Sequence, residues 1–368
     1  MLVLMTITHL PTVFGEYVGQ PFGFVSAAEG FVFLSAYLVG AVYARMAATR
    51  GLAAMQHALW ARALKVYAVH IALFVFLVWV MLPAAETRDA QAITHLASFY
   101  LQEPEIAFRA GLLLLYNPPL LDILPMYVLF LLASPWLIGH AMRHGWRLLF
   151  GLSIVLWLFA QFDGGRIVHE AVASAVGLKV PYQHTGAFAL LAWQLLWLAG
   201  LRAGATGIAP HDSGAAKHPA RSRALLCTAV VLASVLAVWR HLVGHAPFGG
   251  DAALNALFDK WNLGPLRLLN FALLAILVAH SRDRVKGWAR NSSVATLGRA
   301  SLPVFSAHLV LCMVLLMSVS EAGPAKPLLL DAALLAASFY LLYGIARFSL
   351  GRVGDLGGAP QTSAAGKA

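Results

Sequence analysis

Six polar side chains lie inside or at the edge of apolar runs of this chain, and their types decide what chemistry they can support. They are His9 in MTITHLPTVFG, Glu29 in FGFVSAAEGFVFLSAY, Asp122 at the head of DILPMYVLF, Arg267 and Asn270 in LGPLRLLNF, and His308 in SLPVFSAHL. An imidazole exchanges a proton near neutral pH, a guanidinium offers a planar fork to an anion, and a carboxylate orients a base or neutralises a cation. Inside hydrocarbon an ionised group costs about 3 kcal/mol on insertion scales, so each needs a partner or a wet cavity. Two roles stand open for most of them. His308 is an interhelical hydrogen bonder or a catalytic or substrate-binding group. Glu29 and Arg267 neutralise one another across a bundle or act on a substrate. Asp122 is a solvated or helix-capping carboxylate or part of a site. Asn270 follows Arg267 by one helical step of three and shares its side of the helix.

The elements that must carry these groups are set by composition. The chain has 368 residues, of which 60% are hydrophobic and 11% charged, with a mean hydropathy of +0.75. That balance excludes an ordinary soluble domain and predicts an all-α, polytopic membrane bundle. A spanning helix needs about 20 mostly apolar residues. Cut by that rule, the sequence predicts spans near Ala28 to Tyr43, Ala63 to Leu82, Leu120 to Ala141, Trp146 to Phe162 and Gly186 to Gly204. Further spans fall near Ala224 to Trp239, Leu263 to His280, Leu302 to Met317 and Pro327 to Ala346. With the apolar start the expectation is about ten transmembrane helices. Met1 to Pro11 is too short to cross and lacks the basic region and cleavage site of a signal peptide. It reads as the outer half of a first helix that is incomplete at its N-terminus.

The net charge of +10 would suit nucleic acid if it were spread over one face, but it is segregated between alternate connections. Arg45, Arg50 and Arg62, then Arg143 and Arg147, then Arg202, Lys217, Arg221 and Arg223, then Arg282, Arg284, Lys286, Arg290 and Arg299, and finally Arg347 and Arg352 mark connections expected to be cytoplasmic. Glu16, Glu86, Asp89, Glu103, Glu105, Asp163, Glu170, Asp251, Asp259 and Glu321 mark the outward ones. This places the C-terminus in the cytoplasm and gives no nucleic-acid partner. The expected organisation is one transmembrane domain over residues 1–350 and a flexible cytoplasmic tail over residues 351–368. HDSGAAKHPARS is a second flexible stretch. The long outward segments Pro83 to Pro119, Asp163 to Thr185 and Arg240 to Asn262 carry enough apolar residues to fold back onto the bundle. Cys227 and Cys312 both fall in predicted spans and read as inert core residues. The pairs His140/His144 and His241/His245 have i, i+4 spacing, yet neither predicts a metal site, and no phosphate-binding glycine loop or nucleophile elbow occurs.

With these residues in place, the sequence resembles the OpgC family of integral membrane acyltransferases, which attach succinyl groups to osmoregulated periplasmic glucans and are similar to the broader acyltransferase-3 group. The resemblance rests on MTITHLPTVFG, FGFVSAAEGFVFLSAYLVGAVY, DILPMYVLFLLASPW, AWQLLWLAGLRAG, LGPLRLLNFALLAIL and LGRASLPVFSAHLVL, in that order along nearly the whole chain. Family members carry a basic segment and an Arg-Gly pair ahead of the first-span histidine. Here His9 is present and the pair would fall before Met1, so the expectation is either that translation starts upstream of Met1 or that the natural chain is truncated.

The resemblance implies transfer of a succinyl or other short acyl group from cytoplasmic acyl-CoA, a donor substrate, to hydroxyls of a periplasmic glucan. It implies a bacterial inner membrane location and no tightly bound cofactor. His9 would be the base that takes the hydroxyl proton, and Glu29 would orient the imidazole or bind a glucan hydroxyl. Arg267 would stabilise the oxyanion or the succinyl carboxylate. His308 and Asn270 would line the same cavity, and Asp122 would stand at its mouth. Two other readings fit the same residues: a transporter or flippase for a glycan or lipid-linked sugar, and a catalytically inactive truncated relative.

Overall fold

The computed structural model describes residues 1–207, 219–281, 292–318 and 327–357. Lys217, Arg282, Arg284, Lys286, Arg290 and Glu321 lie outside the described residues, as does the end of the tail from residue 358. Among the described residues the regular structure is all helical: α1 (Leu2–His9), α2 (Phe14–Val18), α3 (Ala27–Arg50), α4 (Leu52–Phe76), α5 (Leu82–Arg88), α6 (Gln91–Leu96), α7 (Ser98–Gln102), α8 (Pro104–Leu112) and α9 (Ile123–His144). There follow α10 (Arg147–Gln161), α11 (Gly164–Ala175), α12 (Leu190–Thr206), α13 (Pro219–Val243), α14 (Ala252–Asn255), α15 (Pro265–His280), α16 (Ser293–Arg299), α17 (Ser301–Leu316) and α18 (Leu328–Gly357). A π-helical turn at Leu77–Met81 joins α4 to α5, making one helix from Leu52 to Arg88.

Among the described residues five helices are long and apolar enough to cross a bilayer: Ala27–Arg50, Leu52–Arg88, Ile123–His144, Arg223–Val243 and Leu328–Arg352. Two bent pairs raise the number to 7 if each pair is one span. These are α10 with α11, bent by 89°, and α16 with α17, bent by 96°. The expected count of about ten is therefore corrected downward. Hydropathy counts apolar runs, whereas a span must also be one helix of sufficient length. α1 has 8 residues, α12 has 17 and α15 has 16, and at about 1.5 Å per residue none reaches 30 Å alone. The HDSGAAKHPARS stretch is not all linker, because α13 begins at Pro219. The last helix likewise continues past residue 350 to Gly357. Cys312 is buried as expected, but Cys227 is exposed on the apolar outer surface of α13, beside exposed Val230 and Val231.

α3 is the helix on which the site depends. Ser26 and Glu29 form a reciprocal capping box at its start, satisfying donors that the first turn leaves open. Its flank meets α12 at backbone distance. A Cβ on Gly200 would stand 2.5 Å from the Phe33 carbonyl, and one on Gly204 would stand 1.9 Å from that of Tyr37. The small-xxx-small spacing of α12 is what lets the two backbones touch. Ser134, hydrogen-bonded to the Phe130 carbonyl, accepts the Trp197 indole N–H at 3.1 Å and so ties α9 to α12.

The expected fold-back of the long outward segments is what the structure contains. They gather at one end of the bundle, here the loop end, opposite the tight turns at Gly51 and Gly145. Indole N–H groups of Trp157 and Trp193 donate to the carbonyls of Leu263 and Trp261, each at 3.0 Å, and Gln161 donates to that of Asn262 at 2.7 Å. The segment before α15 is thus clamped by α10 and α12. Gly204→Ala is expected to lower stability by about 1–3 kcal/mol, the usual cost of overpacking. Thermal denaturation in detergent checks it, and an unchanged midpoint would mean that α3 and α12 do not meet at backbone distance.

Candidate active site

A cavity of about 1030 Å³ opens at the loop end. His9, Asp122 and Arg267 line it, together with Arg240, His245 and Lys260. Glu29, Asn270 and His308 do not line it; they stand behind its wall.

His9 ends α1, where Pro11 follows and the next turn is pinned by the Val13 N–H donating to Asp331 Oδ2 at 2.8 Å. Its Nδ1 lies 3.2 Å from Nε2 of His308, and the two rings stack with centroids 5.2 Å apart. His308 is 1% exposed. Its other nitrogen, Nδ1, is buried without a hydrogen-bond partner, and the Met5 and Phe305 carbonyls lie near the ring. A neutral His308 that carries its proton on Nδ1, the nitrogen away from His9, has Nε2 as an acceptor. Its Nε2 then accepts from His9 Nδ1–H, and His9 Nε2 is left as a free acceptor on a cavity-lining residue.

Glu29 has no hydrogen bond to His9, which corrects the expectation that it orients the imidazole. Its Oε1 pairs with Arg267 Nε, and its Oε2 accepts from the Ser26 N–H at 3.0 Å and the Ser26 hydroxyl at 2.7 Å. Glu29 is 0% and Arg267 2% exposed, so water does not screen the pair. Arg267 also donates from Nη1 to the Phe258 carbonyl at 3.4 Å. Its Nη2 is buried without a partner, an unused donor on a residue that lines the cavity. A buried unsatisfied guanidinium nitrogen is costly and suits an anionic or carbonyl group of a ligand.

Asn270 departs further from expectation. Its Oδ1 accepts from the Phe24 N–H at 2.8 Å and its Nδ2 donates to the Phe22 carbonyl at 3.4 Å. It pins the turn before α3 and does not line the cavity. Gly23 completes that turn at φ +98°, where a Cβ would stand 2.4 Å from Asn270 Oδ1. Asp122 does not cap α9 with its side chain. Its Oδ2 accepts from the Ala187 N–H at 2.9 Å. Burial raises the Asp122 carboxyl above the ordinary carboxylate range, opposed by that N–H and by the charge of Lys260.

The sequence did not single out Arg240, Gln20 or Lys260, which lie in loops or at helix ends where charge is ordinary. Arg240 Nε donates to Gln20 Oε1 at 2.6 Å, and Nη2 lies 2.8 Å from His245 Nε2. Burial lowers the His245 pKa, and the charges of Arg240 and Arg267 lower it further, so a neutral ring receives the guanidinium. Lys260 sits 5.1 Å over the Phe188 ring. Among the described residues no group of three or more His, Cys, Asp or Glu side chains converges to hold a metal ion.

Removing one member of a buried ion pair costs about 3–5 kcal/mol because the other is left uncompensated. Glu29→Gln and Arg267→Met are each expected to lose that much, and the double variant to lose clearly less than the sum. A double-mutant cycle on denaturation midpoints measures the coupling; additive losses would show that the pair is not coupled.

A family model described as OpgC protein matches residues 1–351. No curated protein matches the chain, and no solved structure matches it. Since the match spans nearly the whole length and takes in the His9–His308 and Glu29–Arg267 pairs together, the chain belongs to the OpgC protein family.

Proposed function

We propose that the chain is a transmembrane O-acyltransferase of the bacterial inner membrane that moves a succinyl or other short acyl group from cytoplasmic acyl-CoA to a hydroxyl of a periplasmic glucan. The loop end faces the periplasm and the C-terminus the cytoplasm. Membership of the OpgC family supports acyl transfer at the level of the family. The observation that carries the reading to residues is the His9 ring, backed by His308 at 3.2 Å, on the wall of a cavity of about 1030 Å³ lined by both charged and apolar side chains. That volume suits a sugar ring and an acyl chain.

In this reading the glucan hydroxyl enters from the loop end and its proton passes to His9 Nε2 as the oxygen attacks the thioester carbonyl. A C–O bond forms, the carbonyl oxygen takes the negative charge, and collapse of the intermediate breaks the C–S bond. The imidazolium returns its proton to the departing CoA thiolate. His308 accepts from His9 Nδ1–H throughout, holding the ring and stabilising its charged form. Arg267 Nη2 supplies the unused donor to the oxyanion or to the distal carboxylate of a succinyl group. Glu29 holds Arg267 in place and touches no substrate. Asp122 and Lys260 bind acceptor hydroxyls at the mouth.

The test is glucan substitution read by mass spectrometry in cells carrying full-length variants. General acid-base groups contribute about 10²–10⁴-fold, so His9→Ala is expected to remove substituted glucan while membrane insertion stays normal. His308→Ala should lower the rate and shift its pH profile, because the partner of Nδ1 is lost. Wild-type substitution in His9→Ala would remove His9 from the mechanism. Labelled glucan that crosses the membrane without gaining an acyl group would favour a carrier.

A further inference from the structure

A second cavity of about 250 Å³ lies beneath the first and opens sideways on the bundle's apolar outer surface, where Met1, Leu34, Leu38 and Val294 are exposed. Three helices place the two in register. Along α1 the outer cavity takes Met5, Thr8 and His9, while the inner one takes Met1, Leu2 and Val3. On α3 the outer cavity takes Ala27 and Ala28, while the inner one takes residues from Phe31 to Leu38. At α9 the outer cavity takes Asp122 and Ile123, while the inner one takes Ile123, Leu124 and Tyr127. From Val3 to Met5 and from Ala28 to Phe31 the helices rise by only about 3–4.5 Å. The cavities are therefore stacked end to end along the bundle, and Ile123 is the one described residue that lines both.

Ile123 is 3% exposed and is branched at Cβ, which leaves its side chain stiff. It is also the first residue of α9, directly after Asp122, whose carboxylate is held by the Ala187 N–H. The wall is thus fastened to the loop end. The lower chamber is mostly apolar, and its charged lining residue is Arg62, which donates from Nη2 to the Tyr127 hydroxyl at 3.3 Å. An apolar passage with a cation at one side fits a thin acyl-bearing arm that ends in an anionic group.

We infer that Ile123 forms the partition between the two half-cavities, the shared side chain past which an acyl group moves from the Arg62 chamber to His9, and hence a residue that sets the largest acyl group transferred. The movement of an acyl group rests on the acyltransferase reading; the partition itself rests on geometry alone. Two experiments separate them. In the first, cysteines are placed in full-length protein carrying Cys227→Ser and Cys312→Ala, in sealed vesicles of both orientations, and treated with a small charged, membrane-impermeant methanethiosulfonate. Ile123→Cys is expected to react from both faces, Thr8→Cys from the loop-end face alone and Ser35→Cys from the opposite face alone. Reaction of Ile123→Cys from one face only overturns the partition.

In the second, acyl-CoA donors of increasing chain length are supplied to wild type, Ile123→Ala and Ile123→Trp. One methylene in a fitted apolar site is worth about 10-fold or more in discrimination. Ile123→Ala should shift the kcat/KM ratio of longer to shorter donors upward by that factor, and Ile123→Trp should depress transfer of every donor by at least as much with its thermal midpoint retained. An unchanged chain-length preference in Ile123→Ala overturns the size-setting role. Absence of transfer by wild type from any donor sinks the acyltransferase reading and with it that role, and leaves the labelling result to decide the partition.

Discussion

A carboxylate and a guanidinium withdrawn together from water constrain the rest of this protein. Neither Glu29 nor Arg267 can be buried alone, and once paired each fixes the element that carries it. Glu29 is simultaneously the third residue of the α3 capping box, so the ion pair and the start of that helix form one structure. Arg267 stands one turn into α15, behind a segment whose carbonyls are held by Trp157, Gln161 and Trp193. The pair therefore joins α3 to α10, α12 and α15 at the end of the bundle where the cavity opens. Asn270 strengthens the same junction by holding both sides of the Gly23 turn.

The histidine pair depends on this frame without touching it. His9 projects from the end of a short α1 held at the Val13–Asp331 contact, and His308 comes from the middle of α17. Their stacking puts one ring at the cavity and the other in the core. That division suits a proton acceptor and its orienting partner, since the buried ring cannot exchange with solvent while the outer one can meet a hydroxyl. The Arg267 guanidinium, by contrast, is buried with one nitrogen, Nη2, that its own partners leave unsatisfied. A folded protein retains such a group at a cost, which a ligand in the cavity would offset.

The charged cavity at the loop end and the apolar cavity beneath it share one side chain. Above Ile123 the lining is charged and open to the loops; below it the lining is mostly aliphatic and aromatic. The stacked Phe31 and Phe305 rings, with Phe305 in turn against His308, make the floor under the histidine pair continuous with the lower chamber.

The helical class, the membrane setting and the short catalogue of buried polar groups were legible in the sequence because each follows from local composition and from the cost of an ionised group in hydrocarbon. The resemblance to the OpgC family was legible for the same reason, as ordered stretches of one chain. Partnership was not. His9 and His308 are separated by 299 positions and Glu29 and Arg267 by 238, and no local pattern says that Glu29 binds the arginine and leaves the histidine to another histidine. The span count failed on the same ground: apolar runs are local, but whether a run becomes one long helix, a bent pair or a short interior helix is decided by the neighbours it packs against. Arg240, Lys260 and Ile123 acquire meaning only where distant loops and helix ends enclose a common volume, and that enclosure is a property of the folded bundle.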